Sequence, residues 1–147
     1  MPRLERSQLV PRERSEVFAF FADAANLEAL TPKFLSFHIT TPLPIEMRAG
    51  ALIEYELRLY RIPIRWKTLI EAFEPETRFV DVQLRGPYRT WRHVHAFRDH
   101  PLGTEIIDEV DYTLPFAPFS AIALPIVKRQ LRSIFDYRAK AVAERFG

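Results

Sequence analysis

The sequence predicts an α+β fold in which an antiparallel meander sheet wraps around one long C-terminal helix. Three observations favour this fold. Alternating apolar segments follow one another between residues 34 and 114 with short connections, which is typical of antiparallel strands. Two short helical segments precede them, and an amphipathic helical segment closes the chain. Because such a sheet must bury one face, the last helix is the main element that can cover it.

The N-terminal part of the chain predicts one strand followed by two short helices. Residues 3–10 alternate weakly between apolar and polar side chains, as a strand does. Residues 12–22 carry apolar side chains at helical spacing behind a polar start, so they predict an amphipathic helix. Residues 23–30 begin with the capping residue Asp23 and predict a second short helix that ends before Pro32.

Six strands are predicted in the middle of the chain. In the second of them, Ile53, Tyr55 and Leu57 lie on one face, while the residues between them are charged. In the third, Trp66 and Thr68 share a face in the same way. The predicted strands cover residues 34–41, 51–59, 64–73, 79–85, 88–98 and 104–114.

The closing segment predicts a helix over residues 126–146. Its apolar positions have the spacing of one helix face, and charged side chains occupy the remaining surface. Pro125 suits the first turn of this helix. If the helix begins earlier, near Ser120, the proline should kink it.

Length and composition exclude several classes of protein. With 147 residues, of which 48% are hydrophobic, the chain predicts one domain that spans residues 1–147 and has a sizeable core. It contains no cysteine, which excludes disulfide frameworks and thiolate metal sites. Only four residues are glycine and no glycine-rich phosphate-binding motif occurs, so a nucleotide-binding fold is not expected.

Charge and hydropathy argue against two kinds of partner. The 21 Lys and Arg residues are interspersed with 19 Asp and Glu residues, so no basic stripe for nucleic acid is predicted. The N-terminal residues lack an apolar signal segment. The longest uncharged stretch, residues 112–127, is too short and too broken by prolines to span a bilayer. We therefore expect a cytoplasmic protein with no membrane span.

Four stretches resemble proteins of one superfamily. They are residues 79–83 (FVDVQ), residues 86–97 (GPYRTWRHVHAF), Gly103-Thr104 followed by residues 108–112 (DEVDY), and residues 134–138 (IFDYR). In these stretches, and in element order over essentially the whole chain, the protein resembles the START/Bet v1-like (SRPBCC) helix-grip domains. It is most similar to their bacterial polyketide cyclase/dehydrase-like group, some members of which are described as cell-division-inhibitor-like. The resemblance implies a helix-grip fold but no single reaction, because the superfamily includes lipid carriers, hormone receptors and cyclases.

Candidate polar site residues lie on two neighbouring strands. Arginines occupy the outer face of strand 88–98, so its other face should point inward; that face carries Trp91, His93, His95 and Phe97. Asp108 shares the inward face of the next strand with apolar residues. A loop of residues 98–103 would pair His93 with Asp108, whereas a slip of two residues would set Asp108 opposite His95 or Trp91.

Three interpretations of the His–Asp pair remain open. It could satisfy buried polar groups in the core, hold a polar group of a ligand, or orient an imidazole as a general base. In the last case His93, His95 and Asp108 are the candidate catalytic residues. The same three side chains could form a facial metal triad, but the sequence names no partner that would orient the imidazoles. We therefore predict no metal and no cofactor.

Aromatic side chains could line a ligand cavity between sheet and helix or fill the core.

The orientation of some polar side chains near the cavity also stays open. Arg138 either extends its charged end to the solvent at the edge of the helix, which we favour, or meets an anionic ligand group. Asp81 and Gln83 face inward only if the turn at Gly86 and Pro87 has three residues. The binary pattern of the strand favours a turn of two residues, whereas the resemblance to the superfamily implies a turn of three residues. The candidate ligand-binding residues are Tyr55, Trp66, Trp91, His93, His95, Phe97, Asp108, Tyr112, Phe135 and Arg138.

Residues 114–125 form an uncharged segment, which we call the Pro/Phe lip. It could border the cavity mouth, contact a membrane surface or a partner, or tuck under the helix as core. The sequence thus predicts a module that binds or carries a small apolar or aromatic molecule. The alternatives are a cyclase/dehydrase- or hydrolase-like enzyme that uses the His–Asp pair, and a protein-interaction module that acts through the lip, with a homodimer as one partner state.

Overall fold

Residues 2–59 and 61–147 are described by a computed structural model, and within them seven strands form one antiparallel sheet. The strands are β1 (Arg3–Val10), β2 (His38–Ile39), β3 (Leu52–Leu59), β4 (Ile62–Glu74), β5 (Arg78–Arg85), β6 (Thr90–His100) and β7 (Gly103–Thr113). Their order across the sheet is β1-β7-β6-β5-β4-β3-β2. Consecutive strands from β2 to β7 are therefore neighbours, as the meander predicts, and β1 pairs with β7.

Two α-helices accompany the sheet, α1 (Arg14–Phe21) and α2 (Ser120–Phe146). The second predicted helix is one turn of 3₁₀ helix, Ala24–Leu27, and Asp23 caps it by accepting a hydrogen bond from the Ala25 amide at 3.0 Å. The predicted order of one strand, two short helices, a run of strands and one long helix is confirmed. These elements form the helix-grip arrangement.

The strand predicted for residues 34–41 is mostly absent. The chain instead forms a second 3₁₀ turn, Lys33–Leu35, and only His38 and Ile39 pair with β3. Ser36 adopts a left-handed conformation with φ 49°, which ends the turn and prevents a continuous extended strand. Alternation alone could not reveal this, because Leu35 and Phe37 are apolar in either conformation.

Helix α2 begins six residues before the predicted start at residue 126, so Pro125 lies inside it. Because proline has no amide hydrogen, the carbonyl of Ala121 lacks its helical partner there. The helix buries four side chains in the core that it forms with the sheet: Leu131, Phe135, Val142 and Phe146. Burial of each such side chain contributes roughly 1.5–3 kcal/mol.

The core under α2 has two apolar ends with polar side chains between them. At one end Phe18 and Phe21 of α1 pack with Phe97 and Phe146, and at the other end Val110 packs with its neighbours on β7 and α2. The buried polar side chains between these ends include His93, His95 and Asp108. None of the helices in the described part of the chain has the length and hydrophobicity that crossing a bilayer requires.

Candidate functional site

The β6–β7 register brings two histidines and an aspartate onto one inward face. His95 lies opposite Asp108, whereas the predicted loop of residues 98–103 would have placed His93 there. The predicted loop is wrong because the turn has only two residues, 101 and 102, after which Gly103 pairs with His100. Gly103 has φ 144°, and a Cβ there would come within 2.0 Å of the Val10 carbonyl oxygen, so the tight turn requires glycine.

The predicted contact between His93 and Asp108 nevertheless exists. Nε2 of His93 lies 2.8 Å from Oδ1 of Asp108, although these residues are diagonal neighbours across the two strands. A shift of two residues in the register between β6 and β7 keeps every side chain on the same face of the sheet. Diagonal neighbours across the two strands remain within reach of long side chains. The imidazole rings of His93 and His95 stack with their centres 3.6 Å apart.

Asp81 on β5 faces inward and completes the cluster. It pairs with His93 across the strands, while its Oδ2 lies 2.5 Å from Nε2 of His95. Its Oδ1 accepts a hydrogen bond from Nε1 of Trp91 at 3.3 Å. Gln83 instead spans the β5–β6 turn, where it bonds the backbone of Tyr88 at 2.8 and 3.2 Å. Of the two orientations left open by the sequence, the structure thus has Asp81 inward.

Arg138 of α2 also enters the cluster, although the sequence favours an extension of its side chain to the edge. Its side chain is only 13% exposed, and Nη2 lies 3.4 Å from both Oδ1 of Asp108 and Nδ1 of His95. The guanidinium also lies over the rings of Phe21 and Phe135. The buried carboxylate explains this placement, because an unpaired buried charge is costly.

The protonation states of the cluster follow from burial and charge. Burial raises the pKa of Asp108, but Arg138 and His93 outweigh it and hold that pKa well below its ordinary value. Burial also raises the pKa of Asp81, but the hydrogen bond from His95 together with the neighbouring histidines has the larger opposite effect, so the pKa of Asp81 is lowered. Burial is the main cause that lowers the pKa of His95 to about 4. At neutral pH both carboxylates are therefore ionised and His95 is neutral.

The tautomer of His95 follows from these charges. Since the Asp81 carboxylate can only accept, Nε2 of His95 carries the proton and donates it to Asp81. Nδ1 is then free to accept from Nη2 of Arg138. Each imidazole of the pair therefore has one nitrogen fixed by a carboxylate.

A cavity of about 170 Å³ lies between the sheet and α2, with this cluster at one end. Asp81, His93, His95 and Arg138 supply its polar end. Elsewhere its lining is mainly apolar and aromatic, with Tyr55, Trp66, Tyr88, Trp91 and Phe135 as the large side chains next to leucines and Ile134. A smaller cavity of about 60 Å³ shares Tyr55, Asp81, His95 and Arg138 with it.

Most candidate ligand-binding residues line the larger cavity, and three do not. Seven of them lie on its wall: Tyr55, Trp66, Trp91, His93, His95, Phe135 and Arg138. Asp108 lies behind His93, while Phe97 and Tyr112 are packed in the two apolar ends of the core. Sequence reasoning missed the leucines of the two 3₁₀ helices, Leu27 and Leu35, because the orientation of such short elements has no periodic signal.

The Pro/Phe lip lies on the surface. Phe116 and Phe119 are 82% and 73% exposed, and among its apolar residues Leu114 and Leu124 contact the core. Of the alternatives weighed from the sequence, this arrangement favours a surface lip over a segment tucked under the helix. Self-association through the lip stays a prediction.

No protein-family model matches this chain, and no curated protein matches it either. Several solved structures match it in fold. TTHA0849 from Thermus thermophilus matches with a TM-score of 0.78 at 16% sequence identity, over 99% of this chain and 97% of that protein. Ara h 8.0201, a member of the Bet v 1 family, matches with a TM-score of 0.64 at 15% identity, over 96% of this chain and 97% of that protein.

A nucleoside-diphosphate sugar epimerase from Corynebacterium glutamicum contains a similar region. The two match with a TM-score of 0.74 at 27% identity, over 96% of this chain but only 28% of the epimerase. This chain therefore spans about a quarter of that enzyme. All three likenesses concern the fold and extend over nearly the whole of this chain.

Proposed function

We propose that this chain, which has the Bet v1-like helix-grip fold of the SRPBCC superfamily, binds a small aromatic molecule between its sheet and α2. This fold is a ligand-binding fold in general. The observation that carries the proposal is the cavity, because its aromatic walls end in a buried polar cluster. Such a combination of apolar walls and a few convergent polar groups is typical of small-molecule sites.

The size of the cavity favours a ligand with a single ring. An engineered apolar cavity of roughly 150 Å³ holds benzene, whereas drug-sized molecules need about 300 Å³ or more. At about 170 Å³ this cavity matches the smaller class.

Two polar features favour a ring that carries an oxygen substituent. Arg138 is a fixed donor at the polar end of the cavity. Trp66 lines the wall, and its indole N–H is buried without a hydrogen-bond partner among the described residues. An acceptor on the ligand would satisfy one of these donors, whereas a purely apolar ligand would leave both unchanged. We therefore expect phenol-like or carboxylate-bearing rings to bind more tightly than toluene.

Filling the cavity tests this function. Ile134→Trp introduces a large ring into the cavity wall, so binding of p-cresol should weaken at least ~10-fold, which corresponds to about 1.4 kcal/mol. Isothermal titration with p-cresol, benzoate and toluene measures it. Ile126→Trp is the matched control, because Ile126 lies on the same helix but is 60% exposed; it should bind as the wild type does.

Two outcomes would contradict the binding function. One is that none of the three ring compounds binds to the wild-type chain. The other is that Ile134→Trp binds them as tightly as Ile126→Trp does, since the molecule would then lie outside the cavity. Native mass spectrometry of the freshly purified chain gives a further readout, because a co-purified ring compound should be present in the wild type and missing from Ile134→Trp.

A second candidate function is catalysis, favoured by the hydrogen bond between Nε2 of His93 and Oδ1 of Asp108 at 2.8 Å. A carboxylate on one imidazole nitrogen orients the ring and leaves the other nitrogen to take a proton. His93 lies on the cavity wall, within reach of a bound molecule. This arrangement suits a hydrolase-like or cyclase/dehydrase-like reaction.

The catalytic candidate is tested with p-nitrophenyl acetate as a trial ester. His93→Ala and His95→Ala should each abolish its turnover while circular dichroism shows an unchanged fold. His38→Ala is the control, because His38 is exposed on the short edge strand β2. If both cluster variants hydrolyse the ester at the wild-type rate, the proposed roles of these histidines are wrong.

A further inference from the structure

Three ligand atoms of the polar cluster converge on one point. Oδ2 of Asp81 lies 2.5 Å from Nε2 of His95 and 3.8 Å from Nδ1 of His93. The potential ligand atoms of the three residues all lie within 4.8 Å of one another. We propose that Asp81, His93 and His95 bind a divalent transition-metal ion at the polar end of the cavity. This proposal does not depend on the single-ring ligand.

The distances fit such an ion with small adjustments. Bonds of about 2.0–2.2 Å in a tetrahedral site place two ligands roughly 3.3 Å apart. The two distances from Asp81 Oδ2, 2.5 and 3.8 Å, lie on either side of this value. Side-chain shifts of less than about 1 Å therefore suffice, which rotation about the side-chain bonds of Asp81 can supply.

Neighbouring side chains orient two of the three ligands. Metal-binding histidines usually donate their other N–H to a carboxylate or carbonyl group. His93 does so through Nε2 to Asp108, which leaves Nδ1 on the side of Asp81. Trp91 donates to Oδ1 of Asp81 and leaves Oδ2 available. The sequence alone could not identify Asp108 and Trp91 as the residues that orient the ligands, because the triad that it suggests consists of His93, His95 and Asp108.

His95 needs one further rearrangement. Binding of an ion through Nε2 moves its proton to Nδ1, which lies 3.8 Å from Oδ1 of Asp108. That carboxylate can accept the N–H once Nη2 of Arg138, now 3.4 Å from Nδ1, turns away. The ring plane itself is held by Phe79, which stacks on His95 at 4.2 Å.

The chemistry of the ligands and the charge of the cluster indicate the class of ion. Two imidazoles and one carboxylate suit Zn²⁺, Co²⁺ or Fe²⁺, whereas soft Cu(I) prefers sulfur ligands. Asp81 and Asp108 together carry two negative charges, of which Arg138 compensates one, so the cluster attracts a cation. Because all three ligand residues line the cavity, a fourth position on the ion would face it.

The test uses the full chain after removal of metals with EDTA. Isothermal titration with Zn²⁺ should give one ion per chain, and titration with Co²⁺ should produce the absorption bands of a bound ion. Asp81→Asn and His95→Gln should each weaken the Kd for Zn²⁺ at least ~10-fold. Asp108→Asn should weaken it by about 10–100-fold without removing a ligand, because His93 loses its orientation. His38→Ala, which removes an exposed histidine, should leave the Kd unchanged.

Three results would overturn the metal site. They are no stoichiometric binding by the wild type, undiminished binding by both Asp81→Asn and His95→Gln, or an equal loss in His38→Ala, which indicates adventitious surface binding. If His95→Gln does not fold, Asp81→Asn decides alone, because it keeps the size and shape of the side chain. Binding of p-cresol by the EDTA-treated chain separates this outcome from that of the proposed function.

Discussion

Replacement of Arg138 by methionine should lower the free energy of unfolding by about 3–5 kcal/mol, the cost of leaving one charge of a buried pair without its partner. The Arg138 and Asp108 side chains are 13% and 10% exposed, and their closest atoms lie 3.4 Å apart. Methionine retains much of the apolar contact with Phe21 and Phe135. The decrease in the free energy of unfolding therefore measures mainly the contribution of the charge of Arg138. Urea unfolding at pH 7 measures it.

Two further variants separate charge from packing. Arg132→Met changes an exposed arginine on the same helix and should alter stability by less than about 0.5 kcal/mol. Asp108→Asn, added to Arg138→Met, should recover part of the loss, because the uncompensated carboxylate is gone. A loss below ~1 kcal/mol in Arg138→Met would mean that Arg138 does not compensate Asp108.

The fold and the inward faces of the strands could be predicted from the sequence because side chains alternate with a period of two along a strand. The helix-grip fold is confirmed, and solved structures such as Ara h 8.0201 share this fold. His93, His95 and Asp108 are buried as predicted, since even a slip of two residues preserves the face.

Register and turn length could not be predicted in the same way. Pairing of His95 with Asp108 depends on a two-residue turn and on the conformation of Gly103, neither of which alternation encodes. The inward position of Asp81 depends on the length of the β5–β6 turn. Arg138 turns inward because of a carboxylate that is 30 residues away in the sequence, a contact that only the tertiary structure creates.

Acid should destabilise the protein between about pH 6.5 and pH 4. Burial lowers the pKa of His95 from 6.5 to about 4, so in this window the unfolded chain binds a proton that the folded chain does not. The stability present above pH 6.5 is therefore lost as the pH falls, by up to about 3 kcal/mol at roughly 1.4 kcal/mol per unit of pKa difference. The lowered pKa values of Asp81 and Asp108 add a loss of the same sign, which begins near their ordinary value of 3.8.

The variant His95→Gln tests whether the protonation of His95 causes this loss of stability. Glutamine can still donate to Asp81 but does not titrate, so the free energy of unfolding of the variant should vary much less between pH 6.5 and pH 4 than that of the wild type. His38→Ala should keep the wild-type slope, because that histidine is exposed. Urea unfolding at half-unit pH intervals measures the slope. An equal slope in His95→Gln and in the wild type would show that His95 is not held neutral by its burial, and the charge assigned to the polar end of the cavity would change with it.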